Sequence, residues 1–175
     1  MKKKVLIFDT SVMCVWLQVP GKDSCRQGDS VLTYKAVNEK IKKEKEEGTI
    51  FILPIASIVE TGNLIAHAVG DKYKLGEVFA NLISEAAESN SPWAAFTEQS
   101  ALWRPEKLKA LAERWKESVV SGQSLGDASI VEVADYYAQM GFLVEIYTRD
   151  EGLKAYEPTI KNPVPRRRKY TTYYG

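Results

Sequence analysis

The chain opens on a compact apolar run, Val5, Leu6, Ile7 and Phe8, that stops at Asp9. Apolar positions then recur at helical spacing: Val31, Tyr34, Val37 and Ile41 predict an amphipathic helix from about Ser30 to Glu47, ending in the solvated run KKEKEEG and closed by Gly48. TIFILP at 49–54 is short and wholly apolar, as expected of a strand covered on both faces in a parallel sheet. Helical patterns follow at about 55–68 and 75–88, the second marked by Leu75, Val78, Phe79, Leu82 and Ile83, and WAAFTE at 93–98 reads as an edge strand. From Pro105, a favoured first-turn residue, Leu108, Leu111, Ala112, Trp115 and Val119 form one stripe of a helix that ends before Gly122. A helix from about Leu125 to Met140, the strand FLVEIY at 142–147 and a short helix after Thr148 complete the pattern. The order β, α, β, αα, β, α, α, β, α predicts an α/β fold of three layers, with a central parallel sheet of four to five strands, right-handed crossovers and an inserted helical segment.

Lys2, Lys3 and Lys4 imitate the charged start of a secretory signal, but such a signal needs roughly 7 to 15 uninterrupted apolar residues, and Asp9 cuts this run after four. No stretch approaches the roughly 18 apolar residues of a membrane helix, so a soluble protein without a membrane partner is expected. Two cysteines, Cys14 and Cys25, make no disulfide framework and read as buried or idle thiols of a cytoplasmic protein. At 175 residues, 45% hydrophobic and 27% charged, the chain has the core of one ordinary domain, placed at residues 1–157. The formal net charge is only +1, yet Lys161, Arg166, Arg167, Arg168 and Lys169 fall in residues 158–175 with no acid beside them. Subtracting those five from +1 leaves −4 on residues 1–157. An acidic body thus carries a basic, aromatic tail.

Parallel strands share one carboxyl edge, and open α/β sheets bind ligands in the crevice beyond it. Asp9 follows the first strand, Glu60 lies in the expected first turn after TIFILP, Asp150 follows FLVEIY, and SLGD puts Asp127 in the first turn of the helix feeding that last strand. Taken singly, each acid also fits a helix cap or first turn, and S-I-V-E at 57–60 and T-R-D-E at 148–151 match capping boxes. Together they would repel unless protonated or neutralised by a cation. Mg²⁺, with its preference for oxygen ligands and retained waters, suits such a set, and paired metal ions can drive phosphodiester hydrolysis without histidine, cysteine or serine.

IFDTSV at 7–12, PIASIVE at 54–60, SLGDASIVEVA at 124–134 and YTRDEGL at 147–153 resemble, in order and context, the four acidic motifs of the PIN-domain nucleases across about residues 4–157. The resemblance implies a PIN fold and an Mg²⁺- or Mn²⁺-dependent hydrolysis of RNA by Asp9, Glu60, Asp127 and Asp150, which serve as both metal ligands and catalytic set. Thr10, Ser11 and Thr148 would then support the metal shell or a phosphate. The nearest subgroup is the VapC-like toxins, which implies a cognate antitoxin as partner and a homodimer as an expected assembly. The span of 67 residues from Glu60 to Asp127 and the basic tail set this chain apart from the compact toxins. In the tail, Arg166, Arg167, Arg168, Lys169 and Tyr170 read as an RNA-binding surface of charges and stacking faces, the alternative being a terminus docked on its own body or on a second subunit.

Other chemistries find less footing. The single histidine, His67, has no HExxH or cysteine cluster around it and reads as a surface or packing residue. No GxxxxGK[ST] loop and no GxSxG elbow is present. Asp135 reads as a solvated helix position, Asp23 and Asp29 as turn residues, and Lys22 and Arg26 as weak RNA contacts. The alternatives to a ribonuclease are a catalytically degenerate PIN-like scaffold that binds RNA or protein, and a PIN nuclease acting in RNA processing or on DNA.

Overall fold

In a computed structural model, residues 3–27, 30–94 and 96–158 are described. The readings that fell on Asp29, on the side chains of Cys25 and Arg26, and on the tail residues Lys161, Arg166, Arg167, Arg168, Lys169 and Tyr170 lie outside them. The fold is α/β. Strand β1 (Lys4–Phe8) pairs in parallel with β4 (Ile50–Ile52) on one side and with β5 (Leu143–Tyr147) on the other, giving the order β4-β1-β5. Val5 and Ile7 face one way and Leu6 and Phe8 the other, all of them fully buried, because helices cover both faces of the sheet. On the Leu6 and Phe8 face lie α1 (Thr10–Trp16), α2 (Tyr34–Glu46), α3 (Ile55–His67) and α4 (Lys72–Ala87). Against Val5 and Ile7 pack α6 (Leu125–Gln139) and α7 (Glu151–Lys154), while α5 (Pro105–Ser118) lies outside α6. Phe8 is the aromatic hub of its layer, with Trp16, Phe51, Trp93 and Tyr147 all within 6.0 Å of its ring.

Three departures from the sequence pattern have local causes. Among the described residues the main sheet has three strands, and WAAFTE contributes only a bridge from Trp93 to Phe51 before a 3₁₀ helix begins at Phe96. Pro92 has no N–H to extend that ladder, although its carbonyl accepts from Phe51 N at 2.8 Å. The helix expected from Ser30 starts at Tyr34, capped by Thr33, because Ser30–Leu32 (β3) is spent in an antiparallel pair with Cys25–Gln27 (β2). Finally, α1 follows β1 directly. It carries no apolar stripe to read, since Val12, Met13, Cys14 and Val15 are all buried.

A charged cluster pins α2 to the sheet. Lys4 at the start of β1 bridges Glu44 at 2.5 Å and Glu145 at 2.8 Å, Lys40 pairs with Glu145, and Thr49 donates to Glu44 at 2.6 Å. Lys40 also lies 4.4 Å from the centroid of the Tyr147 ring, a cation–π contact. Burial, the largest influence, pushes the Tyr147 phenol up, and the charges of Glu145 and Glu44 add to it against an opposing Arg149, so that it reaches about 12. The free edge of β5 is also closed: Glu157 accepts from Ile146 N at 2.7 Å and Lys154 donates to Ile146 O at 2.9 Å.

Candidate functional site

Asp9 ends β1 and caps α1, a consequence of an apolar strand running straight into a helix with a short acid at the junction. It is 6% exposed, and three donors converge on its Oδ2: Ser11 N at 3.3 Å, Ser11 Oγ at 2.5 Å and Thr148 Oγ1 at 2.8 Å. Thr148 follows β5, so this bond ties the carboxyl ends of two neighbouring strands together. The same Thr148 Oγ1 accepts from Asp150 N at 2.9 Å, and Asp150 Oδ1 in turn caps α7 through Leu153 N at 3.0 Å.

Thr10, beside Asp9, donates to Glu60 Oε2 at 2.8 Å. Glu60 is half-buried and belongs to the second turn of α3, not its first, because Pro54 sets the extended entry to the helix and α3 begins at Ile55. No capping box forms at Ser57–Glu60; Ser57 instead donates to Phe8 O at 2.7 Å, stitching α3 to the end of β1. Nor does T-R-D-E at 148–151 form one, since Asp150 is itself the cap and the Thr148 hydroxyl is turned to Asp9. At SLGD a capping box is present: Asp127 N bonds Ser124 Oγ at 2.9 Å and Ser124 N reaches Asp127 Oδ2 at 3.4 Å.

The remaining link is a glycine. A Cβ placed on Gly126 would lie 2.1 Å from Glu60 Oε1, so only glycine lets the Glu60 carboxylate rest against the first turn of α6. Glu60 therefore lies beside the residue that precedes Asp127. Asp127 and Asp150 in turn line one cavity of about 250 Å³ with Gly122, Gln123, Gly152 and Tyr156. At the carboxyl edge of the sheet Thr148 links Asp9 to Asp150, Thr10 holds Glu60, Ser11 adds a donor to Asp9, and Asp127 and Asp150 line one cavity. The bonds of Asp127 go to its own cap, Ser124, and among the described residues no group of three or more His, Cys, Asp or Glu side chains is placed to hold a metal ion. The donor set is carboxylate and hydroxyl oxygen throughout, which suits a hard divalent cation.

Other sequence readings find their places too. His67 is exposed and bonds its own helix through Asn63 O at 2.8 Å, and Cys14 is buried. Lys22 and Asp23 are exposed. Asp135 is half-buried and lines a second cavity, between α5 and α6. Gly126 stood inside a quoted motif, but its role as clearance for Glu60 has no one-dimensional signal, because the two residues are 66 positions apart. No helix among the described residues is long and apolar enough to cross a membrane. No family model matches the chain, and no curated protein or solved structure matches it either.

Proposed function

We propose that the chain is a metal-dependent endoribonuclease of the PIN type, with Asp9, Glu60, Asp127 and Asp150 as its acidic set. The observation that carries this reading is the hydrogen-bonded anchoring of four carboxylates, from four separate segments, around the carboxyl edge of a parallel sheet. A helix cap explains one oxygen of Asp127 or of Asp150; it does not explain why Gly126 makes room for Glu60 or why Thr148 reaches across to Asp9.

Mg²⁺ or Mn²⁺ held by these four acids would balance their charge and polarise a phosphoryl oxygen. The protein's own part is positional. Ser11 and Thr148 fix the rotamer of Asp9, Thr10 fixes that of Glu60, and the caps of α6 and α7 orient Asp127 and Asp150, so little reorganisation is required when a phosphate arrives. The basic tail, Arg166 to Lys169 with Tyr170, supplies charge and a stacking face for the strand. The narrower reading, a VapC-like toxin with a cognate antitoxin and a homodimeric assembly, rests on motif style, and a small DNA-binding gene immediately upstream would support it.

Asp9→Asn, Asp127→Asn and Asp150→Asn keep side-chain shape while removing ligand charge. Each is expected to leave the melting profile near that of the parent and to slow RNA cleavage by about a hundredfold or more, a few kcal/mol of transition-state stabilisation. EDTA should stop cleavage. A variant that cleaves at the parent rate in Mn²⁺ removes that residue from the set.

A further inference from the structure

The cavity lined by Asp127 and Asp150 has a neighbour. Gln123 and Tyr156, which line it, also line a second cavity of about 300 Å³ formed by Leu111, Trp115, Ala128, Val131 and Asp135 with the Arg114–Glu132 ion pair. The two cavities therefore share part of their wall. The second is at the small end of ligand cavities, with room for one planar ring system. Trp115 and Tyr156 provide aromatic wall, and Leu111, Ala128 and Val131 provide apolar wall. Trp115 is held by its own bond, Nε1 to Gln123 O at 3.0 Å, and the Arg114–Glu132 pair ties α5 to α6, so the cavity is braced from both sides.

One polar group in it is unspent. Asp135 is half-buried and has no hydrogen bond or ion pair with any described residue. A half-buried carboxylate beside aromatic wall gains from a donor partner that a small apolar ligand cannot offer. It lies two turns of α6 beyond Asp127, roughly 12 Å along the helix axis, within reach of a short stretch of extended strand whose phosphate occupies the crevice.

Building on the nuclease reading of that crevice, we propose that this cavity is a nucleobase subsite selective for guanine in single-stranded RNA. Stacking on Trp115 and Tyr156 supplies affinity for any base, since every base has a flat π-face. Asp135 supplies the choice. Guanine alone presents two adjacent N–H donors, N1–H and the N2 amine, on its pairing edge, and a carboxylate offers two acceptors in matching array. Adenine and cytosine set a ring-nitrogen acceptor beside their amine, and uracil flanks its single N–H with carbonyls; each of these repels one carboxylate oxygen.

The test is binding of the full chain, in Ca²⁺, to an oligouridine carrying one guanosine, and to the same oligomer with inosine, which lacks only the N2 amine. The guanosine oligomer is expected to bind about tenfold more tightly, the lower part of the range for a two-bond carboxylate or amide contact to a base. Asp135→Asn should bring the two affinities together, and Tyr156→Leu should weaken both while keeping their ratio. Equal binding of both oligomers by the parent chain, or a ratio that survives Asp135→Asn, overturns the subsite. Cleavage in Mn²⁺ with no guanine preference would overturn the subsite and leave the nuclease intact; guanine-selective binding without cleavage would do the reverse.

Discussion

Gly126 is the residue whose chemistry is most separable from stability. It occupies the second position of α6, where alanine is intrinsically preferred by roughly 0.5–1 kcal/mol. The obstacle to alanine is the flexible end of Glu60, which can swing away at little cost to the fold. Gly126→Ala is therefore expected to leave thermal stability unchanged or slightly higher while lowering RNA cleavage, because Glu60 is pushed off its place beside Thr10. Melting curves and cleavage rates measured on the same preparation check it; full activity in Gly126→Ala would show that the Glu60 position is unimportant. Asp9, Asp127 and Asp150 stand where the sequence puts them because each follows a strand or opens a helix, positions with a local signature, whereas Glu60 lies a turn further into α3 than its motif suggests. The hydroxyl bonds between them join residues 50 and 139 positions apart, and no periodicity encodes those.

Among the elements, the strands and amphipathic helices were legible within a few residues, whereas α1 and the β2–β3 pair were not. A helix buried all round has lost the polar face that announces a helix, and strands of three residues carry no alternation to count. The α2–sheet contact has a measurable signature in Glu145. Burial is the largest influence on this carboxyl and would raise its pKa, but hydrogen bonds and charge from Lys4 and Lys40 together outweigh it, bringing the group from 4.5 down to about 2. A carboxyl with a depressed folded pKa contributes stability that is present above its unfolded pKa and lost as pH falls through the folded one. The window here is from about pH 4.5 to about pH 2. The shift corresponds to at most about 3 kcal/mol. Glu145→Gln is expected to lower stability at pH 7 by about 2 kcal/mol, since it leaves Lys40 facing Lys4 without the shared carboxylate, and to flatten the acid loss within that window. Melting followed across pH decides; an unchanged acid limb would show that Glu145 is not the titrating group.

At the scale of the whole molecule, a three-layer arrangement with one parallel sheet was readable from the order of elements, while the number of strands was not. Trp93 lies beside β4 for a single bridge, and an apolar run that forms one bridge looks in sequence like one that forms a strand. What the topology achieves is the delivery of the ends of β1 and β5, the second turn of α3 and the first turn of α6 to one edge, where Asp127 and Asp150 line one cavity beside that between α5 and α6. The claim that rests on this architecture is hydrolysis of RNA by water activated at that crevice. Attack by water that expels the 3′-oxygen leaves a 5′-phosphate and a 3′-hydroxyl, whereas attack by the RNA's own 2′-hydroxyl expels the 5′-oxygen and leaves a 2′,3′-cyclic phosphate. The decisive measurement is the identity of the ends produced from a defined single-stranded RNA in Mn²⁺, by the parent chain and by Asp127→Asn. The proposed metal-dependent nuclease predicts 5′-phosphate and 3′-hydroxyl ends that disappear in Asp127→Asn; cyclic phosphate ends, or products that persist in the variant, would contradict it.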